Sequence, residues 1–275
     1  MPDVKRPRTF LLTTCAVLAL SACASGPATV TRLPRPRPLE VAPLLIAFAG
    51  RNTATLSPPD ESIEALEDAR GNARGSDRRT LLRKLAFAHL FAAEESTGDR
   101  DAARHRRDAS RFAQHAARGG REAYLAAEMA FVDVWGSWRG GARNAGRLSE
   151  RFTRRHRESG DLFIMAWVIR GEVAYERERW SEAADAYRYL LGLIEHPLYA
   201  LGLYRTAQCW RNDGRAEEAR EALEQVRQMA CDAEAPPEIE EIALRATAEL
   251  RTELRDDPDG HRRPETCPVP TVPTP

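Results

Sequence analysis

Side chains of matching size recur every 36 residues through the C-terminal half of the chain, and this interval restricts the fold more than any other feature. Trp167 and Leu203, Gly171 and Ala207, Trp180 and Ala216, Ala183 and Ala219, Tyr187 and Leu223, and Leu190 and Val226 all keep it. Six pairs agreeing in offset, five of them in size class as well, make a repeat. A further step lands on Ile239 and Ala243, just after Pro236-Pro237-Glu238. Proline is tolerated at a helix start because the N–H it lacks has no helical partner there. Inside each repeat the spacing is helical. Phe163, Trp167, Gly171 and Ala174 form one stripe, "ERERW" interrupts it, and Ser181 is placed to cap a second helix bearing Ala183, Tyr187 and Leu190. Pro197 ends that helix. Leu203, Ala207 and Trp210, a turn at Asn212-Asp213-Gly214, and then Ala219, Leu223 and Val226 follow the same order. A short amphipathic pair cannot bury its apolar faces alone, so such pairs stack on one another.

Upstream the pattern loosens but persists. Phe87, Leu90 and Phe91 head a helix turned at Thr97-Gly98-Asp99, answered by Ala109, Phe112, Ala113 and Ala116. Tyr124, Ala127, Phe131 and Val134 begin another, turned by "GSWRGG" and answered by Ala145, Leu148 and Phe152. Ile63, Leu66 and the run from Leu39 to Phe48 read as an N-terminal cap. Abundant Ala, Arg and Glu with few β-branched residues favour helix over strand. The expectation is an all-α chain of about eleven helices between Val41 and Arg255, with a globular helical bundle as the alternative to a stacked array.

Trp167-x₃-Gly171-x₂-Ala174 followed by Ala183-x₃-Tyr187 resembles the tetratricopeptide repeat, whose pattern is W-x₂-L-G-x₂-Y…A-x₃-F. Small Gly171 and Ala183 let two antiparallel helices touch, while Tyr187 and Leu190 fill the space toward the next hairpin. Arg170 stands where the family has leucine, Ala174 where it has an aromatic ring, and the period is 36 rather than 34, the extra residues falling near His196-Pro197. The resemblance is strong over 161–230 and extends to 255. It implies a TPR-like α-solenoid of stacked antiparallel hairpins. In this family the first helix of each hairpin lines a groove that holds a peptide or a partner's helix. Carried onto this sequence, the groove residues are Met165, Val168, Glu172, Tyr175, Leu201, Tyr204, Gln208 and Arg211. Tyrosines pair an apolar body with a polar tip, and Arg205 and Arg211 are placed to grip a carboxylate. Trp138, read as lying in a turn, is a second candidate anchor.

The N-terminus carries an address. Lys5, Arg6 and Arg8 precede an apolar run from Phe10 to Leu20, too short for a membrane span of about 20 residues and suited to a secretory signal. Leu20-Ser21-Ala22-Cys23 then resembles the lipobox of bacterial lipoproteins, which implies lipid transfer to the Cys23 sulfur, cleavage before Cys23 and acylation (palmitate-type chains) of the new amine. Leu12-Thr13-Thr14-Cys15 is a poorer box, with Thr14 before the cut and almost no apolar run ahead of it. Burying acyl chains contributes about 0.8 kcal/mol per CH₂, so two or three hold a protein to a bilayer. Ala24 and Ser25 after the cysteine point, by resemblance, to the outer membrane facing the periplasm. Loss of 1–22 removes three basic residues and Asp3, leaving a slight acidic excess.

The expected organisation is a cleaved signal peptide (1–22), a Pro/Arg-rich tether (23–40), diverged hairpins (41–160), repeats with a terminal helix (161–255) and a proline-rich disordered tail (256–275). Alternating proline in "RLPRPRP" favours extended backbone, so Ala24 to Glu40 can span up to roughly 50 Å at about 3.1 Å per residue.

Chemistry is sparse. Charge is balanced at 41 basic and 41 acidic residues, so no nucleic acid or other polyanion is implied. The six histidines, His89, His105, His115, His156, His196 and His261, form no metal-ligand spacing. No G-x-S-x-G elbow or phosphate loop is present. No catalytic residue, metal or cofactor is expected. Helical geometry sets Cys209 and Cys231 too far apart to bond, whereas Cys231 and Cys267 can meet through the tail. The leading expectation is a lipid-anchored envelope scaffold or adaptor, non-catalytic, that binds another envelope protein or peptide segment, as assembly factors for outer-membrane, pilus or motility machines do. The alternatives are a periplasmic lipoprotein assisting solute uptake, marked by a continuous apolar cavity, and a regulator of a cell-wall enzyme, marked by a buried perturbed carboxylate.

Overall fold

The computed structural model describes residues 39–52, 61–118, 123–230 and 237–255. Contacts divide the chain after Pro38, and all the described residues belong to the second unit. The signal segment, Cys23, the tether through Pro38, Cys231, Cys267 and the tail from 256 lie outside them.

Among the described residues there are eleven α-helices and no strand: α1 (Val41–Asn52), α2 (Ile63–Asn72), α3 (Gly75–Glu95), α4 (Asp99–Ala117), α5 (Ala123–Arg139), α6 (Ala145–Arg155), α7 (Asp161–Glu176), α8 (Trp180–Leu191), α9 (Tyr199–Asn212), α10 (Ala216–Met229) and α11 (Pro237–Arg255). The chain is all-α, as its composition and periodicity imply. From α3 to α11 each helix packs on the next, and α2 lies against α3. Alternate helices also meet, α3 with α5, α5 with α7 and α9 with α11, so the first helices of successive hairpins form a row.

The 36-residue interval is visible in the turns. At the end of α7 the N–H of Arg179 donates to the Ala174 carbonyl and that of Glu178 to Tyr175. At the end of α9 Arg215 donates to Trp210 and Gly214 to Arg211, the same pair one repeat later. The end of α5 is built alike, with Ala142 donating to Ser137 and Gly141 to Trp138. These are Schellman closures, which satisfy orphan carbonyls and need one residue at positive φ. Gly141 and Gly214 supply it, but Glu178 adopts φ 57° with a side chain.

Packing follows the small-residue positions. Gly171, Ala183, Ala207 and Ala219 are all buried. A methyl group placed on Gly171 would come within 2.5 Å of the Tyr187 ring, so α7 and α8 approach this closely only because residue 171 has no side chain. One repeat later a smaller Leu223 replaces the ring and Ala207 replaces the glycine.

Three expectations are corrected. Ser181 does not cap α8: the helix begins at Trp180, with Arg179 at the cap position and no side-chain cap. Trp138 is not an exposed turn anchor, since α5 continues to Arg139 and buries the indole, whose Nε1 donates to Glu176 Oε1 at 3.2 Å. The run Leu39 to Phe48 is not a cap. A capping helix needs a polar outer face, whereas α1 reads VAPLLIAFAG, without a charge from Val41 to Gly50. A helix apolar on every side is driven to burial. Leu39, Val41, Ala42, Leu44, Leu45 and Phe48 are accordingly in the core. Pro43 in the first turn costs no hydrogen bond.

Candidate functional site

Helix α1 lies on the row of first helices. Its backbone packs against α7. Ile46 borders a small apolar cavity of about 20 Å³ with Leu90, Phe91 and Glu94 of α3, Phe131 and Trp135 of α5, and Met165 of α7. Phe48 meets the ring of His196, before α9, with centroids 4.8 Å apart. Ahead of α1, the Leu39 carbonyl accepts a 3.0 Å hydrogen bond from Arg205 Nη2 of α9.

That arginine is the hub of a buried polar network. Arg205 is 2% exposed and Glu172 of α7 is 4% exposed. Arg205 grips the carboxylate with both Nε and Nη2 at 2.8 Å, and Tyr187 Oη of α8 donates to the same carboxylate at 2.6 Å. Nη1 donates to Gln208 Oε1 at 2.8 Å. Gln208 Nε2 donates to Tyr204 Oη at 2.9 Å and to Glu249 Oε1 of α11 at 2.8 Å, and Tyr204 Oη donates to Glu249 as well. Arg211 Nη1 reaches Glu249 Oε2 at 2.7 Å. The Tyr175 ring faces the guanidinium, with Cζ 4.5 Å from its centroid. Five elements are tied together: the segment before α1, then α7, α8, α9 and α11.

Burial governs the electrostatics. It works against the charge on Arg205, but the Glu172 carboxylate, together with the Tyr187 and Tyr175 phenols, outweighs it and the guanidinium is held more firmly protonated than usual. Burial pushes the Tyr187 and Tyr204 phenols up, and the neighbouring carboxylates of Glu172 and Glu249 push the same way. Both stay protonated and donate. Cys209 is a free, buried thiol raised by burial to about 12, so it is an inert packing group. Removing one member of such a pair leaves an uncompensated buried charge, at a cost of about 3–5 kcal/mol.

Of the residues expected in an open groove, Glu172, Tyr175, Tyr204, Arg205, Gln208 and Arg211 are brought into one network, and Met165, Val168 and Leu201 pack in the apolar core beside it. Only Tyr175 and Arg211 are partly exposed; the other seven are buried. Two members were missed. Tyr187 reads as a groove filler from its spacing, and its phenol is not legible in a stripe. Glu249 is legible: with Ile242, Ala246 and Leu250 it keeps helical spacing on an apolar stripe, and a carboxylate there must find a partner.

Perturbed carboxylates are present elsewhere. Burial raises Glu128, Asp133 and Glu176. Each has a donor: Arg83 Nε and Nη2 at 2.5 and 2.7 Å for Glu128, Ser110 for Asp133, and Trp138 for Glu176. Glu128 and Arg83 line a cleft of about 240 Å³ with Ser76, Arg79, Thr80 and Tyr124. His89 and His105 share a contact of 2.9 Å between their Nδ1 atoms, which needs one nitrogen to donate and the other to accept. Among the described residues no group of three side chains is placed to hold a metal ion, and no helix is long and apolar enough to cross a membrane.

Comparison with protein-family models, with curated proteins and with solved structures gives no match.

Proposed function

We propose that this chain is a non-catalytic scaffold of a bacterial envelope, anchored by lipid on Cys23, that holds a segment of another envelope protein on its row of first helices. The observation that supports this reading is the row itself, with a helix already seated on it: α1 packs on α7, its Ile46 lines one cavity with side chains from α3, α5 and α7, and the residue two before it is hydrogen-bonded to α9. Stacked hairpins present a broad face of this kind, and partners use it. The buried network behind the face is fully engaged within the chain, which suits a rigid platform rather than a reactive centre. The solute-uptake alternative asks for a continuous apolar passage; the cavity at Ile46 has room for about one water and gives that reading no support.

The anchor is tested by Cys23→Ser, which is expected to move the protein from the membrane fraction to the soluble fraction; retention on membranes would contradict lipid anchoring. The scaffold role is tested by photocrosslinking from the half-buried positions 175 and 211 in intact envelopes. A discrete, reproducible crosslinked partner is expected, and crosslinks confined to the chain itself would contradict it.

A further inference from the structure

Helix α1 is joined to the body differently from the other ten. Each of α3 to α11 packs along its neighbours in sequence, whereas the backbone of α1 packs on α7, six helices further along the chain. It contributes one apolar stripe, Val41, Leu44, Leu45 and Phe48, at the i, i+3, i+4, i+7 spacing by which helices enter grooves. It also presents a carbonyl, that of Leu39, to a guanidinium fixed in place by Glu172 and Gln208. Beside Ile46 the helix leaves a space with room for about one water. These are the contacts of a bound peptide.

We propose that α1 is a resident ligand of the protein's own partner-binding face, and that a partner takes the face by replacing α1 with a helix of the same chemistry. The inference rests on the scaffold reading. Lifting α1 without replacement would expose Met165, Phe131 and Trp135 together and take from Arg205 Nη2 one of its two acceptors, the Leu39 carbonyl. Both are unfavourable, so the face passes from one occupant to another rather than standing open. The incoming segment is therefore defined by what α1 supplies. It is an uncharged helix with bulky apolar residues at i, i+3, i+4 and i+7, preceded by an extended residue whose carbonyl meets Arg205. An acidic or basic peptide does not fit, because the charges described on this face are already matched within the chain, Arg205 with Glu172 and Glu94 with Arg139 and Trp135.

The test uses the full chain and a fluorescent peptide of residues 39–52. In the variant Leu45→Asp/Phe48→Asp the resident helix is disabled. The expected result is saturable, one-to-one binding of the peptide to the variant by fluorescence anisotropy, at least tenfold tighter than to the unaltered chain, and no binding of a peptide carrying Leu45→Asp. A variant that keeps its helical circular dichroism and cooperative melting yet ignores the peptide overturns the proposal. So does a variant that unfolds, since α1 would then be an integral part of the core. Peptide exchange without any envelope crosslink would show that α1 is a replaceable occupant but remove the scaffold reading and, with it, the partner's part in the proposal; a crosslinked partner without peptide exchange would keep the scaffold reading and overturn the replacement of α1.

Discussion

At Gly171 the absence of a side chain is a structural requirement set by one ring. The Tyr187 ring occupies the space a β-carbon would take, and its phenol is held by Glu172, so it cannot swing aside freely. Gly171→Ala is expected to destabilise the fold by about 1–3 kcal/mol through overpacking. The same change made together with Tyr187→Leu, which copies the Ala207/Leu223 pairing, should cost less than the two separate effects added, because the sites are in contact. Urea denaturation of the four proteins measures both. The size of residue 171 was readable from spacing alone, because recurring small side chains mark where helices touch. The chemistry of the groove residues was not. Glu172, Arg205 and Gln208 stand at positions that the resemblance turns outward, and their burial depends on what lies over them, which periodicity does not encode.

The hairpins are the elements that spacing revealed best. Two turns 36 residues apart share both Schellman hydrogen bonds, and at the position of positive φ one has Glu178 where the other has Gly214. A side chain at positive φ costs roughly 1–2 kcal/mol. Glu178→Gly should therefore stabilise the protein by roughly 1 kcal/mol, after the greater entropy glycine loses on folding is deducted. A raised thermal midpoint checks it; an unchanged or lowered one would mean that contacts of the Glu178 side chain outweigh the strain. Helix α1 was the element least legible. Its apolar run was plain, but no local rule says that it packs on α7 instead of closing the end of the row. The lack of a polar side was the available signal, since an end helix must face water.

At the scale of the molecule, stability is tied to neutral histidines. Burial holds His89, His156 and His196 below the ordinary 6.5 of imidazole, and for His89 and His196 it outweighs the opposing pull of Asp108 and Asp161. The unfolded chain binds protons first as pH falls. The contribution of these three groups is thus complete above pH about 6.5 and is lost progressively as pH drops below that value toward the depressed native values. The raised carboxylates, Glu128, Asp133 and Glu176, act in the opposite sense, nearer pH 4.5. The urea midpoint should be flat from pH 8 to 7 and fall between pH about 6.5 and about 5. A midpoint that rises over that interval would contradict the burial of these rings.

The account as a whole depends on α1 being docked. A helix of twelve residues is marginal by itself in water, so its amides are protected only if it is packed. Hydrogen exchange of residues 45–48 in the full chain reads this directly. The structure predicts exchange at least about a hundredfold slower than in the free peptide, yet faster than in α7 and α9, whose opening requires the hairpins themselves to come apart. Exchange of residues 45–48 at the free-peptide rate would contradict it.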